Sequence, residues 1–574
     1  MRAYAIWATT GVCLVAAALI FGAPVPRGLT KAVCEGGRGL TPTQQIAACS
    51  VLIAMPGSPA DLAWAHARRG LAYAAKSDTD AAIADLSAAI ALRPDDEMNY
   101  LWRGDLYDDA DREDLAVRDY DHALALVPDD DRVLNNRGFV RGKLGQYKEA
   151  IADFDRAIAL MPGAALYYVN RGQVRDSAGD HDKAIADFDQ AIEIYPEYAA
   201  AYRLRGDAYE SKNDDNRAMA DYQEAVRLAP GDAVAHNDLG VIWDKQGQTD
   251  KAIAAFSDAI KIAPRYANAF DNRGLMYARK GDQKRAIADF TKAIALLPDD
   301  PSYLSHRADA YADSGDDARA VKDYTASLKR DPDNYATLNN RGNAYSNLGK
   351  NKLALADYDR ALALAPRNAI ILANRADTLK DMQRYEPALA DYDAAVEIDP
   401  SALHFGKRAD LEAMMGRSEA AMGDYGRAID RDVKYWPAYY GRAALRRRGG
   451  DEEGAVADYT KAIKDAPDAA KAQTYARRAD TYLALGRDAD ALADCRQALQ
   501  EEPDYAPAHL VCGSAQEREG ANDKALAEYD LALRYDPDLA EAYKRRGLPK
   551  RKLGDAKGAD ADLAKARTAR HAGV

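Results

Sequence analysis

The sequence predicts an all-α fold, a solenoid of about fifteen helix-turn-helix units, and three recurrences in its 574 residues predict it. A small residue returns at a constant step of 34, at Gly70, Gly104, Gly138, Gly172, Gly206, Gly240, Gly274, Ala308, Gly342 and Ala376. The series continues through Ala409, Ala443, Ala479, Gly513 and Gly547, with steps of 33, 34, 36, 34 and 34. An alanine follows each of these fifteen residues twelve positions later, from Ala82 to Ala559, and a ring follows twelve of them at sixteen, from Tyr120 to Tyr529. A period of this length marks a unit too small to bury its own apolar faces, so neighbouring units must stack.

The third unit justifies each element. Leu134, Gly138 and Val140 share one helical face, and Ile151, Phe154, Ala157 and Ile158 share another. Gly145 between them, one of eleven glycines at that point of the repeat, suits the left-handed conformation that ends a first helix. Pro162 stops the second helix, and Asp129 to Asp131 ahead of the unit supply a cap for the first. Gly138, Ala150 and Ala157 let two backbones approach closely while a ring fills the remaining gap.

A 34-residue period with these small and aromatic positions resembles the tetratricopeptide repeat over roughly nine tenths of the chain. The resemblance implies a right-handed superhelical solenoid over 63–574, acting as a protein-protein interaction scaffold. Departures mark irregular places. Val433 stands where proline is expected, with Pro437 next to Trp436. Two extra residues lie between Pro467 and Ala479, and Pro549 inside the last first helix is expected to kink it.

Ahead of the units, 1–26 reads as a signal peptide or an N-terminal membrane anchor. No charge falls between Arg2 and Arg27, and Ala5 to Phe21 is mostly apolar. Residues 27–62 read as a linker and a capping helix. Pro24, Pro26, Gly36, Gly37 and Gly39 mark the linker, and Thr41, Pro42 and Gln44 start the helix. Setting Cys13 aside, the cysteines form two local pairs, Cys34 with Cys49 and Cys495 with Cys512. An even, paired count suits an oxidising compartment, and a disulfide between Cys34 and Cys49 is expected. Together these point to a periplasmic or inner-membrane-anchored protein, with membrane contact through the N-terminal segment alone.

The net charge of -13, from 91 acids against 78 bases, disfavours nucleic acid and anionic membrane surfaces as partners. His66, His236 and His509 replace rings at a packing position, and no His, Cys or acid cluster has ligand spacing, so neither a metal nor a cofactor is expected. No phosphate loop or nucleophile elbow occurs, and the repeats run to Val574, so no catalytic domain is expected either. Enzyme-associated regulatory subunit and structural spacer are the alternatives. An arginine precedes the small residue in thirteen units, and an acid follows that arginine's position by sixteen in fourteen. The unit with Leu239 and Ala255 lacks both, which suggests an ion pair between the two helices of each unit.

In the family this chain resembles, first helices line a concave groove, and the residues two before and one after the small residue point into it. The resemblance thus implies peptide-binding roles for Asn136, Asn170, Asn272, Asn340 and Asn374 at the first position. It implies the same for Asp207, Asp309 and Asp377 at the second, which Asp105, Asp410 and Asp480 also occupy. An amide both donates and accepts, so it can pair with a peptide bond whatever the sequence. The family's clamp for acidic C-terminal tails is only partly matched: Asn343, Asn374 and Lys407 fit, while Asn339 and Leu403 stand where lysines are needed.

Overall fold

The structure, a computed structural model, describes residues 27–36 and 39–569; the expected signal or anchor segment, 1–26, lies outside them. Among the described residues there are 32 helices and no strand. The chain divides into two compact units, 1–282 and 283–574, and the division falls between the two helices of the seventh repeat.

Two helices precede the repeats, α1 (Arg27–Glu35) and α2 (Pro42–Ala54). The first of these is a helix where its glycines and prolines predict part of a linker. Thr30, Val33 and Cys34 are buried, and Val33 and Cys34 pack with Ala48, Cys49 and Leu52 of α2. Burial on this scale outweighs the helix-weakening effect of Gly28. The expected start of α2 is present: Gln44 N–H donates to Thr41 Oγ1 at 3.3 Å and Thr41 N–H to Gln44 Oε1 at 2.9 Å, with Pro42 in the first turn. The Cys34 and Cys49 sulfurs are 2.03 Å apart with Cα atoms at 4.8 Å, and those of Cys495 and Cys512 are 2.01 Å apart with Cα atoms at 5.5 Å.

A repeat is a 13-residue first helix and a 14-residue second helix, as in Asp131–Lys143 and Tyr147–Leu160. Asp130 caps the first by accepting from the N–H groups of Arg132 and Val133. At its end Gly145 takes φ +73°, and Gln146 N–H reaches back to Arg141 O at 2.9 Å. Four repeats place Ser77, Asp111, Asn213 or Gln383 in that left-handed position instead of glycine. Between the helices Ala150, Phe154 and Ala157 are fully buried. A Cβ added at Gly172 would come within 2.6 Å of the Phe188 ring, which is how closely the two helices approach.

The irregular places resolve locally. The two extra residues, together with two residues that form the turn after proline in other repeats, extend the first helix of repeat 13 to 17 residues, Asp468–Ala484. Trp436 opens the first helix of repeat 12, with Pro437 in its first turn. Pro549 does not interrupt Ala540–Lys552, and its carbonyl still accepts from Leu553 N–H at 2.9 Å.

The expected ion pairs are present and carry more than one bond. Arg137 donates from Nε and Nη2 to the two oxygens of Asp153 at 2.8 and 2.5 Å, while its Nη1 reaches Asp121 of the preceding repeat at 2.6 Å. Arg171 does the same with Asp187 and Asp155. In Arg103 and Arg341 the third contact is a hydroxyl, Ser87 or Thr325. In the repeat lacking the pair, Leu239 packs toward Tyr222 and Ile242, and Ala255 is buried. In repeat 14 Cys512 replaces the arginine, and the acid, Glu528, is taken by His509 Nδ1 at 2.7 Å.

Arg137 is 12% exposed and Asp153 5%, but Arg141 Nη1 also holds Asp153 at 2.7 Å, so Arg137→Ala should cost about 3 kcal/mol locally, the low end for a broken buried pair. Adding Asp153→Ala should recover part of it; strictly additive losses, read by hydrogen exchange of the third repeat, would contradict direct pairing. Gln383→Gly should stabilise by about 1 kcal/mol, because it relieves a left-handed side-chain residue at φ 59°. Denaturant melts of the two proteins test that. The buried Cys34–Cys49 link closes a loop of sequence separation 15 and should contribute roughly 3 kcal/mol. Thiol labelling of freshly isolated protein should find both cysteines blocked until reductant is added; equal labelling without reductant removes the link.

Candidate functional site

Within each unit, first helices of consecutive repeats pack on one another, for example Asp131–Lys143 on Ala165–Ser177 and Pro301–Asp313 on Tyr335–Asn347. Among the described residues second helices do not pack on one another in this way, so the first helices line the tighter face of each stack. The position after the small residue serves the interior as well as that face. Tyr222 OH donates to Asp207 at 2.7 Å, Tyr324 OH to Asp309 and Tyr392 OH to Asp377 at 2.5 Å, and Tyr120 OH to Asp105 at 2.8 Å. Burial pushes the Asp105, Asp207 and Asp309 carboxyls up, and the tyrosine hydroxyls hold them back. Burial pushes Asp377 up too, but bonds from Lys407 and Tyr392 and the charge of Lys380 leave it lowered.

The asparagines differ from the expectation of exposed, uncommitted amides. Asn170 is buried, and Asn136, Asn272, Asn340 and Asn374 are half-buried. Asn136 Nδ2 donates to Asp105 at 2.9 Å, and Asn135 Nδ2 donates to Asn136 Oδ1 at 3.0 Å. Asn170 Nδ2 donates in turn to Asn135 Oδ1 at 2.9 Å. Unit 283–574 repeats the arrangement, with Asn340 on Asp309, Asn339 on Asn340 and Asn374 on Asn339, each within 3.1 Å. Asn272 donates to Asn237 at 3.0 Å. These amides therefore tie successive first helices together, a benefit the sequence reading did not credit. The clamp candidates are committed likewise: Asn343 accepts from Tyr358 at 2.7 Å, and Lys407 is held by Asp377.

The first network borders a cavity of about 360 Å³, lined by Asp105, Asp108, Asp109, Phe139 and the amides of Asn135, Asn136 and Asn170. In repeats 5 and 6, Asp207, Asp232 and Asp238 gather around Arg203. Burial first, then the neighbouring Asp207, pushes Asp238 up to about 7. The histidines are hydrogen-bonded rather than packing alone. His66 Nδ1 meets Asp85 at 2.9 Å, His509 meets Glu528, and His236 Nε2 is 3.2 Å from Pro230 O. Among the described residues no group of His, Cys, Asp or Glu could hold a metal ion, and no helix is long and apolar enough to cross a membrane.

One signal for the aspartates was legible. Repeats with a tyrosine ring mostly carry Asp105, Asp207, Asp309, Asn343, Asp377 or Asp410 at the partner position. Those with a phenylalanine ring carry Phe139, Gln173, Val241 or Leu275. A buried hydroxyl needs an acceptor and a phenyl ring does not.

Sequence models of the tetratricopeptide repeat match 65–96, 129–197, 169–233, 237–301, 301–334, 335–368, 369–401, 437–469 and 477–540, more than half of the chain. The chain is 34% identical over 87 residues to Hsp70-Hsp90 organizing protein 1 of Glycine max, spanning 15% of this chain and 15% of that relative. The crystal structure of yeast Tom70 is similar at 18% identity and a TM-score of 0.38, covering 74% of this chain and 96% of that one. The structure of the APC/C hetero-tetramer Cut9-Hcn1 is similar at 13% identity and a TM-score of 0.42, covering 87% and 98%.

A carboxyl raised in the folded state binds a proton that the unfolded chain has lost, so Asp238 withdraws stability as pH rises from about 4 to about 7. Asp238→Asn should therefore leave stability unchanged near pH 4 and raise it at pH 8. Urea melts at the two pH values check this, and equal stability of the two proteins at pH 8 would place Asp238 among ordinary carboxylates.

Proposed function

Because the chain belongs to the tetratricopeptide repeat family, we propose that it is a non-enzymatic scaffold holding extended polypeptide segments along the first-helix face of its repeats. The supporting observation is the pair of asparagine networks. Each holds its amides in one orientation, spending one N–H of Asn136 and one of Asn170 in the first and one of Asn340 and one of Asn374 in the second, and the first network borders the 360 Å³ cavity. Amides pre-oriented in this way offer a peptide bond a donor and an acceptor at little further ordering cost. Asp309 accepts from Asn340 within the second network, while Asp207 and Asp377 hold the same repeat position and are paired with Arg203 and Lys407.

The setting we propose is an envelope assembly, with the repeats outside the cytoplasm and residues 1–26 as cleaved signal or retained anchor. The uncharged N-terminal stretch and the two cysteine pairs support that placement. A spacer without a groove ligand is the second reading, favoured by the internal bonding of the same amides.

Cross-linking in intact cells, followed by affinity measurement on the captured polypeptide, decides between them. Replacing Asn136, Asn170, Asn272, Asn340 and Asn374 together by alanine should weaken the partner strongly. Each loss is worth about 0.5 to 1.5 kcal/mol, in binding and now also in folding. Affinity must therefore be compared at a temperature where melting curves show both proteins folded. Unchanged affinity would move the binding surface to the second helices or the loops.

A further inference from the structure

In unit 283–574 the first helices of four consecutive repeats, 12 to 15, enclose a second cavity of about 440 Å³. Its lining joins an apolar group, Pro507, Leu510, Val511 and Leu539, to three arginines, Arg447, Arg477 and Arg545. Two are matched inside the protein: Arg447 Nη2 lies 2.7 Å from Asp480 Oδ2, and Arg545 Nε lies 3.0 Å from Glu541 Oε1. Arg477 is exposed and hydrogen-bonds to Tyr440, its other electrostatic neighbours include the phenols of Tyr459 and Tyr505, and among the described residues no carboxylate lies within ion-pair distance of it. The rings of Tyr440 and Tyr459 meet edge to face at 5.7 Å, which steadies that surround.

The repeat pattern breaks at this cavity. Asp480 stands where other repeats keep the acceptor of a tyrosine hydroxyl, yet its own repeat has Cys495 in place of the ring, so the carboxylate turns to Arg447 instead. Tyr459 in turn has Ala444 at its acceptor position. The five clamp positions named above correspond in repeats 13 to 15 to Ala476, Asp480, Val511, Glu541 and Arg545, so only Arg545 of the three arginines falls at a clamp position, and Arg447 and Arg477 lie outside that spacing. A guanidinium without a carboxylate, in a cavity with apolar lining, presents a fork of donors that a carboxylate fits bidentately.

We propose that this cavity binds an internal Asp or Glu side chain of an extended partner segment, with a bulky apolar neighbour of that acid seated on Pro507, Leu510, Val511 and Leu539. The acid is internal because the lining comes from four successive first helices, and a segment touching all of them runs along the stack. The proposal rests on the polypeptide-binding reading and names a partner chemistry for a site separate from the asparagines.

The test is fluorescence anisotropy on the full chain with short acetylated and amidated Gly/Ser peptides carrying a Glu and a Leu two residues apart. Matched peptides replace Glu by Gln, omit Leu, or carry a free C-terminal carboxylate as their one acid. The Glu-Leu peptide should bind roughly tenfold or more tightly than the Gln-Leu peptide, since a charge-assisted pair is at stake. Arg477→Gln should erase that preference and Arg477→Lys should keep part of it. Asp480→Asn, which frees Arg447, should strengthen it, so the proposal stays testable if Arg477→Gln folds poorly. Equal affinity for Glu and Gln peptides, a preference that survives Arg477→Gln, or tighter binding of the terminal carboxylate would each overturn the proposal. Neutral peptides captured through the asparagine face would leave the scaffold reading standing, whereas failure of every peptide together with failed cross-linking in cells would remove both.

Discussion

A three-way arginine contact holds most repeats together and sets each of those against its neighbour. A guanidinium in a helix-helix contact needs partners for its donors, or the desolvation cost exceeds the gain from pairing. Here Nε and Nη2 are taken by the aspartate of the same repeat, and Nη1 by a carboxylate or hydroxyl of the repeat before, as with Arg137 on Asp153 and Asp121. The first pair fixes how the two helices of a repeat are turned toward each other. The third bond sets the register of the stack. Small residues such as Gly172 and Ala150 bring the backbones near enough for this geometry, and the ring at Phe188 fills what remains.

Where the arginine is missing, its partners change with it. Leu239 and Ala255 convert the site to apolar packing, which costs little when both partners go together. Cys512 hands the acid over to His509 and joins Cys495 of the preceding repeat instead. The cavity beside Arg477 lies among these irregular repeats, where ring and acceptor positions have separated and side chains are released from interior duty.

The architecture was legible because it depends on spacing within one unit. The 34-residue step, the glycine turns and the Arg137–Asp153 pair all repeat in the sequence. The site was less legible because its bonds run between units. Asn136 finds Asp105 at a separation of 31 residues, while Asn170 finds Asn135 at 35. Positions three before and one after the small residue are one turn apart on the same face, so the next amide can take either one. The choice depends on which of them is polar, and an argument about a single column of the repeat does not reach it. α1 was missed for a related reason: glycines and prolines around it read as linker, while its stability comes from α2, thirteen residues of a separate element.

The third bond of each arginine also gives the array a direction. It always points toward the N-terminus, so α2 provides Ser50 as acceptor for Arg69 of the first repeat at 2.9 Å and stands in for the second helix of a repeat that is not there. A fragment beginning at an internal repeat would lose such an acceptor and present a stranded guanidinium donor at its leading edge. A fragment ending at the same boundary would lose only a partner for a carboxylate such as Asp121, which is already half in water. The two sides of any cut are thus unequal, and segments of this array that are to be moved or recombined carry their requirement for a polar lid at the front.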